Sequence, residues 1–294
     1  MKRREMLKTT SAALLGLTTL PFGWTASAEP RRKKVLYFTR SGGFEHSVVH
    51  RTGGELSHSE RVLTEMGQWA GFDVECTQDG MIFDRNLDSY DTIAFFTSGD
   101  LIAPQGNGTP MTPSGKQQLL EAIAAGKGFV AFHSSTDSFH SKGPVDQTQT
   151  EVDPYIAMLG GEFVIHGPQQ EASLMIASRF PGTDRIGCAE GIAFMDEWYA
   201  QKNFTKDLHV ILVQETKLMK GDCYRRPDYP NTWARQHGKG RVFYTALGHR
   251  EDIWTNPFFQ AITLGGIAWA LGNVAAKAEP NIAQVTPNAN QLKS

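Results

Sequence analysis

Apolar runs recur along this chain at intervals that suit buried strands, with amphipathic stretches between them. Residues 34–39 (KVLYFT) form an unbroken β-rich run that ends at Arg40-Ser41-Gly42-Gly43. Ser57, with Glu60 three residues on, has the pattern of a capping box, so a helix is predicted from there to Gly71. Residues 72–77, 92–97 and 128–133 read as further strands. Thr112-Pro113 supplies an N-cap and a first-turn proline for a helix that stops at Gly126. Such alternation predicts an α/β fold, with a doubly wound, mostly parallel sheet flanked by helices on both faces. The second half is less regular. A short helix is expected from Asp153-Pro154 to Gly160-Gly161, strands at 172–177, 210–214 and 241–247, and a last apolar helix capped by Asn256-Pro257.

The two ends of the chain depart from this pattern. Residues 1–28 open with Lys2, Arg3 and Arg4, continue through a short apolar run at 12–22, and close on Ala26-Ser27-Ala28. That is the form of a cleavable export signal, and the Arg3-Arg4 pair with Lys8 gives it a twin-arginine character. A periplasmic or exported location is therefore expected. The run falls short of the roughly 20 apolar residues that cross a bilayer, and no later run is longer, so no membrane span is expected. Residues 29–273 should form one domain. Residues 274–294 are polar and nearly free of large apolar side chains, and are expected to be disordered.

Composition narrows the partners. The formal net charge is −2 and no basic run follows Lys34, which argues against a nucleic-acid partner. Cys76, Cys188 and Cys223 have no paired spacing, so a cysteine metal site has no support. Walker A, HExxH and GxSxG motifs are missing, and Ser41-Gly42-Gly43 lacks the dinucleotide-binding spacing.

In open α/β sheets, ligands bind beyond the carboxyl ends of the strands. Three predicted strands deliver a histidine to that edge: His46 after the first, His133 after the fourth, and His249 after the run at 241–247. Histidine serves both as an acid/base near neutrality and as a metal ligand. His133 and His249 are the leading catalytic candidates, with His46 and Glu197 assisting; Glu197 sits in the acidic-aromatic run Asp196-Glu197-Trp198-Tyr199. Arg40, Asp137, His166 and Tyr199 are candidates for binding substrate hydroxyls, and Trp198, Tyr199 and Trp233 for stacking on sugar faces. A divalent metal, zinc first, is a further expectation, with His46, His133, His166 and His249 as its ligands.

The runs KVLYFTRSGGFEH, GKGFVAFHSSTDSF, LGGEFVIHGP, DEWY and GKGRVFYTALGHREDIWTNPFF, taken in order, resemble the ThuA-like (trehalose-utilisation) family from about residue 33 to 273. The resemblance implies a flavodoxin-like sheet related to class I glutamine amidotransferases. It also implies that His133 stands where those relatives carry a nucleophilic cysteine, so glutaminase activity is not expected. It further implies a small-molecule carbohydrate partner, and a role with glycosides or their 3-keto forms as a lyase, isomerase or hydrolase. The alternative is a sugar-binding or accessory module that uses the same pocket without catalysis.

Overall fold

The computed structural model describes residues 31–183 and 190–293. The expected export signal and Cys188 lie outside the described residues.

Eleven strands and six α-helices follow one another among the described residues. The first half runs β1 (Lys33–Phe38), α1 (His58–Ala70), β2 (Phe72–Thr77), β3 (Thr92–Phe95), α2 (Pro113–Ala124) and β4 (Gly128–Phe132). The second runs α3 (Pro154–Leu159), β5 (Glu162–His166), β6 (Gln170–Ile176), β7 (Gly191–Asp196), β8 (Tyr199–Lys202), β9 (His209–Gln214), β10 (Tyr229–His237), β11 (Gly240–Thr245), α4 (Glu251–Trp254), α5 (Pro257–Ala270) and α6 (Ile282–Val285). Nine strands form one sheet in the order β2-β1-β3-β4-β11-β10-β9-β6-β7, while β5 and β8 pair separately.

The sheet is mixed. From β2 to β11 every neighbour pair is parallel, and from β11 to β7 every pair is antiparallel. The expected mostly parallel order holds for the first half and stops at β11. Buried on both faces, the parallel strands need no alternation of polar and apolar residues. Val35 and Tyr37 of β1 join a core with α1 and α5, while Leu36 and Phe38 join the opposite core with α2 and α3. The capping box of α1 forms as the sequence predicts, with Ser57 and Glu60 each bonding the other's backbone N–H.

Two sequence expectations are corrected here. β10, absent from the sequence reading, is the longest strand; Pro230 masks it, and the register shifts beside that proline. The tail, expected to be disordered, packs back on the domain. Ile282, Thr286 and Ala289 are buried, and the side chains of Asn281 and Asn290 bond backbone groups of Val210 and Phe204. Low hydrophobicity predicts disorder only where polar groups find no partners, and these asparagines find them. No helix among the described residues is long and apolar enough to cross a membrane.

Candidate functional site

The strand order reverses at β1. From there the chain goes outward to β2 and then back past β1 to β3, and such a reversal opens a crevice at the carboxyl edge. The loops after β1 and β3 interlock there. Gly42 and Gly43 N–H both donate to Ser98 O, at 2.7 and 3.1 Å, and Ser98 Oγ donates to Phe44 O at 2.6 Å. Gly99 has φ +70° and lies so close to Gly43 that a Cβ on it would stand 2.4 Å from the Gly43 nitrogen. Only glycine serves there.

His133 follows β4 directly and takes a left-handed backbone, φ +40°, a sparsely populated conformation for a residue with a Cβ. Its surroundings fix it. The carbonyl accepts from Tyr244 Oη at 2.7 Å, and the Nδ1–H donates to Ala246 O at 2.8 Å. A carbonyl can only accept, so Nδ1 carries the proton of the neutral ring and Nε2 is left as a lone pair. That Nε2 lies 3.3 Å from Nδ1 of His249, which follows the adjacent strand β11.

Glu197, between β7 and β8, closes the group. Its Oε1 is 3.2 Å from His249 Nδ1 and 3.5 Å from His133 Nε2. Its backbone N–H donates to Asp196 Oδ1, while Asp196 Oδ2 accepts the N–H of Gly248, so one buried carboxyl group holds the backbone beside both Glu197 and His249. His46 is buried with its ring centroid about 5 Å from those of His133 (5.0 Å) and His249 (5.1 Å). Its Nδ1 has no protein partner. One ligand atom from each of His46, His133, Glu197 and His249 lies within 4.8 Å of all the others.

The electrostatics match the geometry. Burial alone would raise the pKa of Glu197, but the N–H groups and positive charge that His133 and His249 present to it when protonated outweigh burial and hold the carboxyl well below the usual carboxylate range. Burial, together with repulsion from His133 and His249, lowers His46 to about 2 and keeps the imidazole neutral. Neutral imidazoles and an ionised carboxylate are the forms that bind a divalent cation.

The four residues expected to be catalytic thus stand together. Of the four residues expected to ligate a metal, His46, His133 and His249 stand in this group with Glu197. His166 lies beside the group, half-exposed, with Nδ1 2.9 Å from Gly167 O and 3.2 Å from Glu197 Oε2. Tyr199 packs its ring 4.2 Å from that of His133 and places its hydroxyl 3.4 Å from His46 Nε2. Asp137 instead bonds His140 at 2.7 Å, in a pairing the sequence does not reveal. Arg40, expected to bind substrate, is fully buried and donates to the carbonyls of Leu101, Ala103 and Gln105; it clamps a loop. Trp198 and Trp233 are not stacking platforms. Both are buried, and their indole N–H groups donate to Gln170 O and Leu159 O. Neither described cysteine stands at the site: Cys76 is on β2, where burial pushes its thiol up to about 12, and Cys223 is in a turn before β10.

A family model described as ThuA, trehalose utilisation, matches residues 34–270. Among solved structures, the chain is similar to a ThuA-like protein from Bacteroides uniformis, with 18% identity, TM-score 0.60, and 84% of this chain and 95% of that one covered. It is also similar to a ThuA-like protein from Parabacteroides merdae, with 17% identity, TM-score 0.56, and 84% and 92% covered. A third likeness is to α-L-fucosidase isoenzyme 2 from Paenibacillus thiaminolyticus, with 12% identity, TM-score 0.50, and 82% of this chain but 33% of that one covered. No curated protein sequence matches significantly.

Proposed function

The chain belongs to the ThuA family of trehalose utilisation, which supports a role in sugar utilisation, and from that premise we propose an exported, metal-assisted enzyme acting on glycosides or their 3-keto forms. The observation that carries the reading is the convergence of His46, His133, Glu197 and His249 from four separate parts of the chain onto one small volume. The donor set is three imidazoles and a carboxylate, all suited to zinc. The orphaned Nδ1 of buried His46, and two ring nitrogens facing each other at 3.3 Å, also fit a cation.

A divalent cation held there would polarise a substrate carbonyl as a Lewis acid. We assign the proton transfer to His166. Its Nδ1–H donates to Gly167 O and points toward Glu197 Oε2, so Nε2 is the basic nitrogen of the neutral ring. In a 3-keto glycoside, a C–H bond beside the ketone is acidified. Removal of that proton leaves an enolate, from which elimination of the neighbouring glycosidic oxygen or isomerisation follows. Tyr199 and Asp137 remain our candidates for orienting hydroxyls. The parallel order β2-β1-β3-β4-β11 supports a flavodoxin-like ancestry, and His133 in the place of a nucleophile supports chemistry other than glutamine hydrolysis.

Metal content and turnover, measured on one sample of mature protein, test this. Bound zinc and conversion of 3-keto disaccharides, followed by product NMR, are expected; His133→Ala should lose both while remaining folded. A fully active, metal-free protein overturns the metal assignment. Sugar binding by calorimetry without any conversion favours the non-catalytic module.

A further inference from the structure

An aromatic ring stands at the mouth of the site without a packing role. Phe44 is 68% exposed, yet its loop is held by the Gly42, Gly43 and Phe44 bonds to Ser98. Its ring meets His46 at 4.9 Å in an edge-to-face contact. Beside it opens a cavity of about 380 Å³ lined by Phe44, Glu45, Ser47, His50 and His249, at the small end of the range for ligand sites. Its polar wall is fixed in advance. Glu45 Oε2 pairs with His50 Nδ1 at 3.0 Å, Asn107 Nδ2 donates to Glu45 Oε1, and Ser47 Oγ donates to Glu251 at 2.6 Å. His249 belongs both to this cavity and to the four-residue donor group, so whatever fills the cavity lies directly beside that group.

We propose that this cavity is the subsite for the second sugar ring of a disaccharide, with Phe44 as its platform and the Glu45–His50 pair as its hydroxyl reader. A pyranose offers a face of C–H bonds, weakly positive, that packs on the negative face of an aromatic ring. Its edge offers hydroxyls that donate to a carboxylate oxygen or to an imidazole ring nitrogen. The cavity supplies both kinds of surface on a loop that is already ordered, so little entropy is lost on binding. The first ring, the one that reacts, then lies over His249 and the donor group. This assignment rests on the carbohydrate reading given above and adds the size of the substrate to it.

The test compares wild type, Phe44→Ala and Phe44→Trp on a 3-keto disaccharide and on the matching one-ring methyl 3-keto glycoside. Phe44→Ala should lower the ratio of kcat/KM for the two-ring over the one-ring substrate by about tenfold, through KM, and Phe44→Trp should restore it. Calorimetry with unoxidised disaccharides gives a readout independent of turnover. Weaker disaccharide binding by Phe44→Ala alone, with no turnover by any form, keeps the subsite and removes the enzymatic reading. An unchanged ratio with normal turnover and metal content, or no disaccharide binding by the wild-type protein, overturns the subsite.

Discussion

Glu197 carries the most contacts in the site. One oxygen meets His133 and His249, the other meets His166, and its backbone is held by Asp196. Glu197→Gln keeps the shape and removes the charge that faces three imidazoles. We expect its zinc affinity, measured by competition with a chromophoric chelator, to fall at least about tenfold, and turnover to fall about 100-fold or more. Unchanged affinity would place the cation elsewhere. His46, His133 and His249 were legible because each lies in the segment that follows a strand the hydrophobic pattern reveals. Glu197 was legible through its aromatic neighbours, though for an indirect reason: Trp198 is core, and only its position on the chain marks the site. The role of Arg40 is not legible in the sequence, because a strand end tells where a residue lies and not where a long side chain reaches.

The elements most easily read were those whose burial is continuous. β1, β3 and β4 are buried on both faces and appear in the sequence as apolar runs. β8 is equally buried but reads as polar, because the Gln201 amide nitrogen and the Lys202 ammonium donate to partners far along the chain, such as Tyr244 and Gln147. The tail around α6 is the extreme case. Asn281 and Asn290 each mimic a neighbouring strand, accepting from one residue's N–H and donating to its carbonyl: Val210 at 2.6 and 3.0 Å, Phe204 at 2.9 and 2.9 Å. Arg226 adds a bond to the Ala289 carbonyl. These bonds span 63 to 86 residues, which no local pattern records. Asn281→Ala and Asn290→Ala leave part-buried backbone groups unpaired and should each cost about 1–2 kcal/mol in urea unfolding. A cost near zero for both would mean that the tail contributes nothing to the stability of the domain.

Across the molecule, the parallel strands and the β5–β8 pair are tied by an ionic joint. His140, after the turn that carries His133, bonds Asp137 through Nε2 at 2.7 Å and Glu162 of β5 through Nδ1 at 3.1 Å. Hydrogen bonds to Asp137 and then to Glu162 outweigh its desolvation and raise it to about 9. Glu162 is also held by Ser141 and Asn203 and has Lys202 at 3.9 Å, so it keeps partners when His140 loses its proton. The direction of the pH effect follows from linkage. An unfolded histidine releases its proton near pH 6.5, while the folded protein holds it to about pH 9. The stabilisation is therefore complete below about pH 6.5 and is lost progressively as the pH rises to about 9. His140 is partly exposed, and solvent screening makes the effect modest. Wild type and His140→Gln should differ most in Tm near pH 6, with the gap closing steadily by pH 9.5. Subtracting the two curves removes every other titrating group that the substitution leaves alone. A gap that stays constant over that range would show that His140 holds the joint by shape alone, since a neutral side chain would then serve as well as the imidazolium.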